Sequence, residues 1–134
     1  MFTPASMRAA AAYRQVGVQS MVDGASPHQL ISMLFDGLMG ALNGARGAME
    51  RGDVTEKVRH IGKAVRILQE GLLAALDRQR GGEVAGNLSA LYEYSVSRLT
   101  LANARSDVAI VDEVLSVLQP VMDGWREIGN QVHA

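Results

Sequence analysis

Cysteine is missing from this chain, which removes disulfide frameworks and thiolate metal sites from consideration and fits a reducing compartment. Aromatic residues are scarce, 4% of the chain beside a hydrophobic content of 48%. The core must therefore be filled by Ala, Leu, Val, Ile and Met, as in helix bundles. Neither sign of charge prevails: the formal net charge is -1, whereas a nucleic-acid partner calls for a concentrated basic face. No stretch approaches about twenty uninterrupted apolar residues, so membrane insertion is not expected. The amino-terminal residues lack the basic start and apolar run of a secretory signal. These absences point to a soluble, cytoplasmic chain. Residues 1–134 form one domain, large enough to bury roughly two-thirds of the surface it exposes unfolded.

What remains is helical periodicity. Ser26-Pro27-His28-Gln29 is a helix start in which Ser26 caps, Pro27 suits the first position and Gln29 completes a capping box. The helix runs over about 27–51, with Ile31, Phe35, Leu38, Leu42, Ala45 and Met49 on its seam. Gly52-Asp53 makes the turn, and Asp53 caps a helix over about 54–79. Its seam reads Val54, Val58, Ile61, Val65, Leu68, Leu72 and Ala75/Leu76, a period near 3.5 that predicts shallow antiparallel crossing at about 20°. Gly81-Gly82 ends it, because glycine reaches the left-handed conformation freely. Glu83 opens a helix over about 83–105, and Ser106 or Asp107 starts the last, about 107–132. Pro120 lies inside that last pattern and is expected to bend or break it near residues 116–120. Short connections force antiparallel neighbours. The fold class is all-α: an up-down four-helix bundle. The segment 1–25, with a short helix near residues 5–14, is read as a mobile addition packed on it.

No catalytic, metal-binding or cofactor-binding residue stands out. The histidines are His28, His60 and His133, and none follows a Glu by three as di-metal bundles require. No phosphate-binding loop or Ser-His-Asp set appears, so an enzyme is not expected. His60-Ile61-Gly62-Lys63 resembles the histidine phosphotransfer bundles, which carry an exposed histidine near a lysine, and supplies an alternative function. Here, however, the glycine precedes the lysine, and the plain reading is a surface histidine one turn from Glu56.

Apolar material is left over once the seams are assigned. Met33, Gly37, Gly40, Gly44 and Gly47 repeat at spacings of four and three, and on the next helix His60, Ala64, Ile67, Gly71 and Ala74 form a second small-residue stripe. Ile110, Val114, Val117 and Val121 widen the apolar face of the last helix, while Tyr94 and Leu101 point away from the seam of theirs. A bundle of this size buries about one stripe per helix, so surplus stripes mark a partner, unless two of the bundle's own helices approach closely there or the N-terminal segment covers them. Residues 53–80 carry six Lys/Arg and four Asp/Glu, and residues 107–134 one Arg and five acids, an asymmetry of the kind that orients packing or a partner.

One stretch carries more than periodicity. Leu76-Asp77, Gly81-Gly82-Glu83-Val84-Ala85, Asn87-Leu88, Leu91-Tyr92-Glu93-Tyr94 and Leu99…Ala102-Asn103 together resemble the flagellar export chaperone family that escorts flagellin. Ala25 to Ile31, Met33-Leu34-Phe35-Asp36-Gly37, Lys63-Ala64 with Ile67-Leu68, and Trp125 extend the resemblance in order from about Tyr13 to Trp125. The resemblance implies a helical bundle without enzymatic activity. It implies binding of the C-terminal helical segment of flagellin on apolar grooves, with delivery to an export-gate component of the flagellar secretion system. The partner-binding candidates are then Met33, Gly37, Gly40, Gly44, Gly47, Ala64, Ile67, Gly71, Tyr94, Leu101, Ile110 and Val114. Tyr13 matches the family's N-terminal tyrosine in a segment that moves on flagellin binding, which makes Met7, Tyr13 and Val16 a displaceable segment.

Overall fold

The computed structural model describes residues 24–133. Residues 1–23, and with them Met7, Tyr13 and Val16, lie outside the described residues. Helix α1 spans Pro27–Arg51; α2 spans Val54–Arg66 and runs on through a π-helical stretch, Ile67–Leu73; α3 spans Arg78–Arg105; α4 spans Val108–His133. Among the described residues, α1 and α3 each pack against α2 and α4 but not against each other, so they lie on a diagonal of an all-α bundle.

The local signals act as their chemistry dictates. The Gln29 amide donates to Ser26 Oγ at 3.1 Å and the Ser26 amide to Gln29 Oε1 at 2.8 Å, satisfying donors that the first turn leaves free. Gly52 takes a left-handed φ of 70°. The Gly52 and Asp53 amides then donate to the Met49 and Ala48 carbonyls, the paired bonds that close a helix C-terminus. Asp53 Oδ1 accepts from the Glu56 amide and Asp107 Oδ1 from the Ala109 amide. The core lies between α1 residues such as Leu34, Leu38 and Leu42 and, facing them, Leu68, Leu99, Val111 and Leu118, all essentially inaccessible.

Sequence expectation fails at three places. The turn before α3 is at Leu76-Asp77, not at the glycine pair, because Asp77 Oδ1 accepts from the Arg80 amide and caps a helix that begins at Arg78. Gly82 does take the positive φ expected of the pair, with φ 54° and ψ -127°, but as a kink that sets the Arg78–Gly81 turn off from the rest of α3. On α2 the inward face is Lys57, Ile61, Ala64, Ile67-Leu68 and Gly71-Leu72, while Val54 and Val58 are 63% and 50% exposed. Lys57 decides this. Its ammonium donates to the Asn103 carbonyl and Ser106 Oγ at 2.9 and 2.6 Å, and an inward Lys57 turns the adjacent Val58 roughly 100° away from the core. Finally, α4 continues unbroken through Pro120. Pro120 and Ser116, whose carbonyl loses its helical donor, are both on the exposed side, where water can satisfy that oxygen.

Candidate partner-binding groove

At the end of the bundle where α1 and α3 begin and α2 and α4 finish, four helix ends leave an apolar groove of about 370 Å³. Phe35, Leu72, Leu76, Val84, Leu88 and Trp125 form its apolar walls, and only Asp77 and Arg80 among its fourteen lining residues are charged. Val84 is 67% exposed, a large apolar side chain that α3 presents to the groove without support. Tyr92 lies deep in the wall, and burial pushes its phenol up to about 12.

Trp125 is fixed by a reciprocal clasp to the start of α1. Its indole Nε1 donates to the His28 carbonyl at 3.2 Å and to Ser32 Oγ at 3.1 Å. His28 Nε2 in turn bonds the Trp125 carbonyl at 2.7 Å, and its ring stacks on the indole with centroids 4.5 Å apart and planes 3° from parallel. Gly129 makes room: a Cβ there would lie 2.7 Å from His28 Nε2. The result is a groove wall with little rotamer freedom.

The residues singled out from stripes lie elsewhere. None of the twelve candidates lines the groove. Ala64, Ile67, Gly71, Ile110 and Val114 are buried within the bundle, and Met33 and Leu101 are half-buried against its core. Tyr94 is exposed and donates to Glu113 Oε2 at 2.8 Å. Two glycines of the stripe, Gly37 and Gly44, are turned toward α2. A Cβ on Gly37 would lie 3.3 Å from Ile67 Cδ1, one on Gly71 would lie 3.0 Å from Leu34 Cδ2, and one on Gly44 would lie 2.5 Å from His60 Nδ1. Gly40 faces open space, and a Cβ on Gly47 would meet only Arg51 of its own helix.

His60 is accordingly not a plain surface residue. Its side chain is 21% exposed, with Nε2 3.4 Å from Glu56 Oε2, and Nδ1 is buried without a hydrogen-bond partner. Glu56, held below the usual carboxylate range by its hydrogen bond from Arg59, would repel an incoming phosphoryl group. This geometry lends phosphotransfer no support. The signal that did reach the groove was the ordered string: Phe35, Leu76-Asp77, Gly81, Val84-Ala85, Leu88, Tyr92 and Trp125 all belong to it and converge on this one concavity.

Two acids of α4 pair with bases of α1 and α3, not with the basic stretch 53–80. Asp112 of α4 pairs with Arg46 of α1 at 3.0 Å, and Glu113 with Arg98 of α3 at 2.7 Å. Glu113 lies below the usual carboxylate range because Arg98 and then Tyr94 donate to it, and the Tyr94 phenol is raised because it must keep its proton to do so.

Fold and groove define the class: an all-α bundle with an apolar groove at one end. Among the described residues no three His, Asp or Glu come together to hold a metal, and no helix is long and apolar enough to cross a membrane. The family model for flagellar protein FliS matches residues 9–132. The chain is 46% identical to the flagellar secretion chaperone FliS of Salmonella typhimurium over 96% of its own length and 93% of that protein's. It is likewise 46% identical to flagellar secretion chaperone FliSB of Pseudomonas aeruginosa over 93% and 98% of the two chains. With the flagellar secretion chaperone FliS of Bacillus subtilis it shares 31% identity over 81% and 80%. The chain belongs to the flagellar protein FliS family.

Proposed function

We propose that this chain is a flagellar secretion chaperone, a binding protein and not a catalyst, that takes the C-terminal helical segment of flagellin into the apolar end groove. Held there, the segment is kept from premature polymerisation in the cytoplasm until the subunit reaches the flagellar export apparatus. The observation that carries this reading is the convergence of the family string on a groove with almost no charged lining. An amphipathic helix laid into such a groove contributes apolar side chains at spacings of three and four, and a mostly aliphatic wall accepts them without demanding a particular hydrogen bond.

Isothermal titration against full-length flagellin and flagellin lacking its C-terminal segment tests the proposal. Binding to the first and loss of binding to the second is expected, with the large negative heat-capacity change of a segment that orders as it buries apolar surface. Equal binding to both would sink it. Trp125, the chain's single tryptophan, lines the groove and should report occupancy by a shift in its emission.

A further inference from the structure

We infer that Asp77–Gly81 is a movable wall of the groove, hinged at Gly82 and held shut by Arg78. The inference rests on the groove being occupied as proposed above. Arg78 donates from Nη2 to Ser89 Oγ at 2.8 Å, eleven residues further along, and lies 3.9 Å from Glu93 Oε1. In a straight helix positions that far apart are separated by about 16 Å, more than an arginine side chain spans. The two meet only because Gly82, at φ 54° and ψ -127°, folds the first turn of α3 back on the rest. That conformation belongs to glycine; any other residue at 82 favours the right-handed helical region. Latch and kink are therefore one event, and the alternative is a straight α3 with the Arg78–Gly81 turn swung away.

The same turn is a wall of the site. Asp77, Arg80 and Gly81 line the groove together with Trp125 and Val121. Its other attachment, Leu76-Asp77, is non-helical and follows directly on the end of α2, so non-helical backbone flanks the turn on both sides. The ionic half of the latch is solvent-exposed, with Arg78 and Glu93 side chains each 64% accessible, while Ser89 is 8% exposed. Exposed pairs hold weakly, as a wall that must open for a helix and close behind it requires. Closure after entry retains the occupant, so the latch acts on dissociation more than on association.

Arg78→Met and Ser89→Ala each remove one side of the latch, and Gly82→Ala straightens the hinge. Dissociation of the flagellin C-terminal segment, followed by Trp125 emission in stopped flow, should be about fivefold faster in each. The Arg78→Met/Ser89→Ala double variant should be no faster than either single variant. Wild-type dissociation rates in all of them, or additive effects in the double variant, would overturn the latch. If the wild-type chain does not bind the segment, the proposed function fails and the wall is read without it. Amides of residues 78–84 should then exchange about tenfold faster in Arg78→Met and Ser89→Ala than in wild type, and unchanged protection overturns the latch.

Discussion

The His60 ring occupies the space that a side chain on Gly44 would fill: a Cβ built there falls 2.5 Å from Nδ1 and 2.7 Å from Nε2. Helix α1 carries a residue poor in helix propensity, and α2 lays a ring against its bare backbone in exchange. Gly44→Ala is expected to lower stability in the wild-type background, because the ring must leave its notch. With His60→Ala already present, the same change should instead stabilise by up to about 1 kcal/mol, the helix-propensity difference. Gly44→Leu should overpack the α1–α2 contact and destabilise by about 1–3 kcal/mol. Urea melts of the double-mutant cycle check this, and a Gly44→Ala effect of one sign in both backgrounds contradicts it.

Val84 is exposed and lines the groove, so its replacement separates binding from folding. Val84→Glu should leave the thermal midpoint nearly unchanged. Lost burial of one valine and the burden of a carboxylate against apolar walls should weaken flagellin binding by about tenfold or more. Unaltered affinity would place the segment outside this groove.

Lys57 is 8% exposed, and its ammonium closes the C-terminus of α3 through the Asn103 carbonyl and Ser106 Oγ. Lys57→Met keeps the aliphatic stem and leaves those acceptors without a donor. A loss of about 1.5–3 kcal/mol is expected, the range for hydrogen bonds to a charged group. Chemical denaturation measures it, and faster exchange confined to the last turn of α3 would locate it.

Trp125→Phe tests the clasp. The ring stays, but the donor to His28 and Ser32 goes, and the His28 carbonyl and Ser32 hydroxyl lose a partner. Destabilisation by about 1–2 kcal/mol is expected. His28→Ala should remove the stack as well and loosen the same helix end. A Phe variant as stable as wild type would make the clasp incidental.

Stability should also fall in acid through Glu113. Its folded-state pKa is lowered by the Arg98 and Tyr94 donors. The stabilisation is therefore complete above the ordinary carboxylate range and is lost as pH falls through the folded-state value. Tyr94, whose pKa is raised, adds the mirror limb, stabilising below the usual phenol range and lost as pH rises through the raised folded-state value. Glu113→Gln should flatten the acid limb of a stability–pH profile, and an acid limb unchanged in that variant contradicts the assignment.

The helix caps are legible in the sequence itself, because Ser26 with Gln29, Gly52 and Asp53 act within one turn of themselves. The family is legible for a related reason: an ordered string survives whether or not its geometry is understood. The facing of the stripes is not legible. Val54 and Val58 fit a heptad as well as Lys57 fits none, yet the Asn103 carbonyl and Ser106 hydroxyl at the end of α3, some fifty residues away, pull Lys57 inward and expose the valines. A glycine row reads equally as a groove for a partner and as a notch for a neighbour, and only the approach of α2 sets Gly44 against His60 and Gly37 against Ile67. Asp77 and Gly82 both act, one as a cap and one as a kink, and neither signal by itself says which of them begins the helix. The groove itself has no periodicity to detect, since it is assembled from the ends of four helices. Local chemistry, acting over a turn or less, is written in the sequence; which surfaces meet is decided by packing, where distant residues set the terms for one another.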